Sequence, residues 1–226
     1  MKGCFVTGTG TGVGKTLASA ALLCALRRRF DRVVGMKPVA TGAIDVDGQP
    51  DSEDAIALRA ASSVRVSRDL DNPVLLRDPV SPHLAAQRAG TRICIDDIVE
   101  RYRRLSSEVD FVVVEGAGGF HVPLTDAETG ADLAQALDLP VVLVVGLRLG
   151  CLNHALLTAE AIRARRLELA GWIANRIDPA MLAQDDSVAY LRSRLHAPLL
   201  ADIAHHPPPD AGAIPIDLPL AWRTAR

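Results

Sequence analysis

Six short runs of almost unbroken apolar residues punctuate the chain, near Gly3 to Thr7, Val33 to Lys37, Phe111 to Glu115, Val141 to Val145, Leu169 to Asn175 and Pro198 to Ile203. A strand with one wet face would alternate; these runs carry the pattern of strands buried on both faces. Helical stretches lie between them, among them Leu17 to Leu26, Ala55 to Ala61 and Ala155 to Arg166. Strands alternating with helices predict an α/β fold, doubly wound around a mostly parallel sheet. No linker-like stretch divides the 226 residues, which predicts a single domain. From Ala204 the prolines of His205-His206-Pro207-Pro208-Pro209 and Ile214-Pro215-Ile216-Asp217-Leu218-Pro219 exclude regular helix, so 204–226 reads as an irregular surface segment. His205 and His206, with no third ligand near them in sequence, read as loop residues and not as a metal site.

The first strand runs into Gly8-Thr9-Gly10-Thr11-Gly12-Val13-Gly14-Lys15-Thr16, and a helix follows at once. Strand, glycine-rich loop and helix in that order make a phosphate-binding P-loop. The glycines let backbone N–H groups converge on phosphate oxygens, the helix N-terminus adds positive potential, Lys15 supplies a mobile charge and Thr16 can hold magnesium. The loop is a variant, because five residues and not four separate Gly8 from Gly14 and Thr9 takes the usual first position.

Ligands of open parallel sheets bind outside the carboxyl ends of the strands. Here the strands end in the P-loop, in Lys37-Pro38-Val39-Ala40-Thr41-Gly42, in Glu115-Gly116-Ala117-Gly118-Gly119, in the stretch Gly146 to Asn153, and in Asn175. Glu115 matches the acid that holds magnesium in P-loop proteins, with glutamate for the commoner aspartate. The chain has only Lys2, Lys15 and Lys37 as lysines among 25 basic Lys and Arg residues, and two of these three stand at strand ends bordering the phosphate site. A flexible amine differs as a tool from a rigid guanidinium, so both lysines are assigned function. The acidic cluster Asp51-Ser52-Glu53-Asp54 opens a helix, which capping and the dipole explain in part; one of its acids can also reach magnesium.

A net charge of −2 argues against a nucleic-acid or membrane surface. Arg27-Arg28-Arg29 and the arginines of 163–166 read as solvated helix ends. No run approaches a membrane span and no signal peptide precedes the first strand, so a cytoplasmic location is expected. Cys4, Cys24, Cys94 and Cys151 lack metal-like spacing and are expected as buried, reduced thiols.

The motifs together resemble those of dethiobiotin synthetases. The match includes the P-loop, Lys37 to Gly42, Ser81-Pro82-His83, Val114-Glu115-Gly116-Ala117-Gly118-Gly119, Gly150-Cys151-Leu152-Asn153-His154 and Gly171-Trp172-Ile173-Ala174-Asn175. The resemblance implies a homodimeric P-loop NTPase-like ligase that converts 7,8-diaminopelargonate, CO2 and ATP with Mg2+ into dethiobiotin, ADP and phosphate. It implies catalytic roles for Lys37 and Lys15, and magnesium held by Thr16, Asp54 and Glu115. ATP would be bound by Gly12, Val13, Gly14, Lys15, Thr16, Leu17, Asp54, Glu115, Gly116, Ala117, Gly118, Asn175 and Arg176, with Asn175 reading adenine. Substrate would be bound by Thr11, Thr41, Gly150, Cys151, Leu152 and Asn153, the last four at the dimer interface. Asn153 is expected to start the helix Ala155 to Arg166. The chain departs from the family where Gly12 replaces an acid found in some members, and where Ile203-Ala204-His205-His206 replaces Ile-Pro and an apolar residue. The rivals are a P-loop small-molecule kinase and a ParA- or MinD-like switch; such switches carry a lysine at the position of Gly10.

Overall fold

A computed structural model of the chain describes residues 2–205 and 210–222; His206 and the three prolines after it lie outside the described residues. The elements in order are β1 Gly3–Gly8, α1 Lys15–Leu26, β2 Val33–Met36, β3 Val39–Thr41, β4 Ile44–Val46, β5 Gln49–Asp51, α2 Glu53–Ala61 and α3 Arg68–Asp71. Then come β6 Val74–Leu76, α4 Pro82–Arg88, α5 Ile95–Glu108, β7 Phe111–Gly119, α6 Gly130–Leu137 and β8 Val141–Gly146. The chain continues through α7 Cys151–Ala164, β9 Leu169–Asn175, α8 Gln184–Arg194 and β10 Leu199–Ile203, and ends in two short 3-10 turns, Ala211–Ala213 and Leu220–Trp222.

The six expected strands form one sheet in the order β10-β9-β8-β1-β7-β2. Every pairing in it is parallel. Successive residues of β1 serve opposite faces: Phe5 packs with α5 and α6, while Cys4 and Val6 pack with α1. Both faces being covered, an apolar residue is favoured at every position, which is why these strands read as continuous runs. Helix α5 has the other pattern, with Ile95, Ile98, Val99, Tyr102 and Leu105 buried on one stripe. Because the crossover from β1 to β2 runs to one side and that from β7 to β8 to the other, a crevice opens beside β1 at the carboxyl edge.

Two small sheets were not expected from the sequence: parallel β3 with β6, and the β4–β5 hairpin. Three-residue strands carry too few positions to show a period. The tail is also more than a surface segment. Trp222 is 3% exposed and its ring centroid lies 5.3 Å from that of Phe111, with Leu218 buried nearby, so the stretch 211–222 closes the core over α1. Helix α7 begins at Cys151 and not after Asn153; Gly150 adopts φ 93 at its N-cap and its carbonyl accepts from His154 N at 3.2 Å, leaving Asn153 inside the first turn. Several of the arginines read as solvated helix ends instead tie elements together: Arg27 donates to Ala61 O, Arg163 to Leu195 O, and Arg165 pairs with Asp132. The four cysteines are free thiols, Cys4 and Cys151 buried and Cys24 and Cys94 half-buried. Among the described residues no helix is long and apolar enough to cross a membrane.

Candidate active site

The loop after β1 is shaped by contacts that only glycine permits. Gly14 caps α1 at φ 84, a left-handed conformation, and a Cβ there would meet Asn175 Nδ2 at 2.0 Å. Asn175 therefore lies against the loop and donates to Val13 O at 3.0 Å. Lys15 arches back over the loop, its Nζ 3.2 Å from Gly10 O. The amine is 7% exposed; burial, helped by the nearby Lys37 charge and opposed by Glu115 and Asp54, lowers its pKa from 10.5 to about 8.

Register between β2 and β7 builds the rest. Met36 pairs with Val114, so the next residues, Lys37 and Glu115, leave the two strands side by side. Lys37 Nζ is 2.7 Å from Glu115 Oε1, 2.8 Å from Asp54 Oδ2 and 3.4 Å from Gly116 O. Burial works against the Lys37 charge, but the Glu115 and Asp54 carboxylates outweigh it and hold the ammonium above the ordinary lysine range. Asp54 comes from the first turn of α2, which Ser52 caps by accepting from Ala55 N. Its carboxyl is kept below the usual range, burial notwithstanding, by Lys37 and by the Thr16 hydroxyl. Thr16 Oγ1 lies 2.6 Å from Asp54 Oδ1 and 3.1 Å from Glu115 Oε1. Glu115 is fully enclosed, and among the described residues its Oε2 has no hydrogen-bond partner.

These groups floor a cleft of about 670 Å³. Of the residues expected from the sequence, Thr11, Gly12, Gly14, Lys15, Thr16, Lys37, Thr41, Asp54, Glu115, Ala117 and Gly118 line it. Val13 is fully buried and Leu17 packs on the α1 side of the core, so neither side chain reaches the cleft. Gly116 sits behind it, where a Cβ would meet Phe5 Cζ at 2.8 Å. Asn175 borders the loop from outside the cleft. The Arg176 guanidinium is engaged by Asp185 at 2.6 Å and Asp202 at 2.8 Å, and His205 Nδ1 lies 3.0 Å from the Arg176 carbonyl. Gly150, Cys151, Leu152 and Asn153 lie at the start of α7, outside their own chain's cleft.

Val39, Pro79, Val80, Ser81, Pro82 and Val122 also line the cleft and had no assigned role. Ser81 and Pro82 belong to a motif visible in sequence, but nothing local says that the segment between β6 and α4 folds over a P-loop from which it is some seventy positions distant.

The donor set suits a hard divalent cation. No group of three His, Cys, Asp or Glu side chains able to hold a metal occurs among the described residues. Two carboxylates and a hydroxyl converge here all the same, one carboxylate oxygen is unpartnered and buried, and magnesium characteristically takes one or two carboxylates with substrate phosphates completing its shell.

A family model described as an AAA domain matches residues 2–211. The chain is 55% identical over 208 residues to a protein of Ralstonia nicotianae named ATP-dependent dethiobiotin synthetase BioD, covering 92% of this chain and 91% of that protein. Among solved structures it is similar to the septum site-determining protein MinD of Pyrococcus horikoshii complexed with Mg-ADP, with TM-score 0.57, 18% identity, and coverage of 93% of this chain and 91% of that one. It is also similar to the signal recognition particle receptor FtsY of Elizabethkingia anophelis with GDP, with TM-score 0.54 and 15% identity, covering 98% of this chain and 62% of that receptor. At these identities the two structures establish the doubly wound P-loop fold and nothing of the activity.

Proposed function

We propose a mechanism from one premise: the chain belongs to the dethiobiotin synthetase family, and it is an ATP-dependent ligase that makes dethiobiotin. The substrates are 7,8-diaminopelargonate, CO2 and ATP. One amine takes up CO2 to give a carbamate, whose oxygen attacks the γ-phosphorus of ATP with loss of ADP. The neighbouring amine then attacks the carbonyl of the carbamic-phosphoric anhydride, expels phosphate and closes a cyclic urea.

The observation that carries this reading is the Lys37 ammonium, held 2.7 Å from Glu115 and 2.8 Å from Asp54 beside Lys15 and Thr16 in one cleft. No side chain need form a covalent bond to substrate; alignment and charge neutralisation suffice for in-line transfer. Lys15 and the loop N–H groups hold the ATP phosphates. Lys37 bridges the carbamate and the γ-phosphate, and Thr41, at the end of β3 on the cleft wall, orients the carbamate end of the diamine. Magnesium, when bound by Thr16, Asp54 and Glu115, would neutralise charge on the phosphate oxygens. Asn175, its Nδ2 committed to Val13 O, keeps its amide oxygen for the base.

The active form is a homodimer. Supporting this, Gly150 to Asn153 do not line their own cleft, yet the start of α7 presents a helix N-terminus suited to the carboxylate tail of the diamine. Leu149, 94% exposed just before this turn, is a candidate to be covered by a second subunit. A ligase releases free phosphate, whereas a kinase would leave phosphorylated substrate. Phosphate release that requires both diaminopelargonate and bicarbonate, with dethiobiotin as product, is the expected outcome; a phosphorylated diamine would overturn it.

A further inference from the structure

Lys37 leaves the sheet at its open edge. Strand β2 has β7 on one side and, among the described residues, no strand of the main sheet on the other. On that open side the segment 71–74 takes over the ladder. Lys37 N donates to Asp71 O at 2.7 Å, Asn72 Nδ2 donates to Lys37 O at 2.7 Å, and Val74 N donates to Pro38 O at 3.1 Å. Two arginines tie the segment down: Arg68, at the start of α3, pairs with Asp51 at 2.7 Å, and Arg59 holds Asp71 itself. Arg59 Nε and Nη2 each donate to an Asp71 carboxylate oxygen at 2.7 Å, a bidentate pair with Asp71 only 2% exposed.

The remaining arm of the same guanidinium points the other way. Arg59 Nη1 donates to both oxygens of Asp51 at 2.8 Å. Asp51 is also buried; it accepts from Ser52 N at 2.8 Å and immediately precedes the helix whose first turn presents Asp54 to Lys37. Arg59 thus joins the segment holding Lys37 from behind to the segment presenting Asp54 from in front. A lysine could pair with one of these carboxylates but not fork to both.

We propose that Arg59 is a positioning residue for phosphoryl transfer, setting the Lys37 ammonium against Asp54 through Asp71–Asn72 on one side and Asp51–Ser52 on the other. It touches no substrate. The proposal rests on the catalytic reading of Lys37 above. The competing account is a plain ion cluster that only braces α2 against α3 and contributes stability alone.

The test uses the full chain and four variants, Arg59→Gln, Arg59→Lys, Lys37→Gln and the double variant Arg59→Gln/Lys37→Gln. Dethiobiotin formation is measured with ATP and diamine varied, below the melting transition of every protein. A displacement of an ångström in a positioned group can cost up to about a hundredfold; the expectation here is a kcat about tenfold lower for Arg59→Gln, with KM for ATP within about twofold. With Lys37 already Gln, removing Arg59 should cost less than about twofold, since the two act through one group. Arg59→Lys should recover only part of the loss. Asp71→Asn preserves volume and the carbonyl that receives Lys37 N; it carries the same expectation if Arg59→Gln does not fold. An unchanged kcat in Arg59→Gln beside a crippled Lys37→Gln overturns the positioning role alone, as do equal fold losses in both backgrounds. Full turnover in Lys37→Gln overturns the reading of the site and this proposal with it.

Discussion

Replacing Lys37 by Gln should damage both stability and chemistry, and by separable amounts. Lys37 is 4% exposed and contacts Glu115, which is 0% exposed, and Asp54, which is 41% exposed. The variant takes the contacting ammonium away from the enclosed Glu115 carboxylate and leaves it only the less direct charge of Lys15. Removing one partner of a buried pair costs about 3–5 kcal/mol. The lower end applies, because Asp54 is solvent-screened and the new amide can still donate to Glu115. At about 2–4 °C per kcal/mol for a chain of this size, a cost of about 3 kcal/mol lowers the melting temperature by about 6–12 °C. Magnesium with nucleotide would restore positive charge next to Glu115, so the gap should narrow when both are present. Turnover should fall about a hundredfold to a thousandfold, the loss of one preorganised donor. Lys37→Arg should recover little, because a planar fork does not replace a point charge. Scanning calorimetry with and without MgATP, and kinetics below both melting transitions, give the two readouts. A melting shift under about 2 °C would refute the buried-cluster account, and a fall in kcat of less than about fivefold would refute the catalytic one.

Four further outcomes are expected. Gly14→Ala places a Cβ 2.0 Å from Asn175 Nδ2 at φ 84, so ATP affinity measured by titration calorimetry should fall at least about tenfold; unchanged affinity would show that the loop does not need this conformation. Burial disfavours the Asp51 charge, but Arg59, Ser52 N–H and Arg68 together hold its carboxyl below the ordinary 3.8. A pKa lowered by folding stabilises the protein above the unfolded value and ceases to do so as pH falls through the folded one. The urea-stability gap between the protein and Asp51→Asn should therefore be constant above about pH 5 and narrow as pH falls below the unfolded value, and a gap that stays unchanged between about pH 5 and about pH 3 would contradict the pairing. Trp222→Ala removes a buried ring from against Phe111 and should cost about 3–5 kcal/mol by urea denaturation; a cost under about 1 kcal/mol would return the tail to a surface segment. Mixing Lys37→Gln subunits with Asn153→Ala subunits should restore part of the activity if sites are shared, and verified heterodimers without recovery would count against the shared site.

The sheet and the P-loop were legible in the sequence because both are local. A strand covered on two faces writes a continuous apolar run, and β1, β2, β7, β8, β9 and β10 each did so. A P-loop uses contiguous residues whose types state their chemistry. What tertiary structure alone decided lies between segments. Lys37 and Glu115 are 78 positions apart, and they meet because β2 pairs with β7 in the one register that sets Met36 beside Val114. That register is chosen by packing across the whole sheet, since a slip by one residue would exchange the side chains that fill the two different cores on its faces, as Phe5 on one side and Cys4 and Val6 on the other. The grip of Arg59 on Asp51 and Asp71, the fold of the segment 79–82 over the cleft, and the burial of Trp222 against Phe111 belong to the same class. Each is a contact between polar or irregular segments that carry no period, so its partner is fixed only when the packed sheet brings the two segments together.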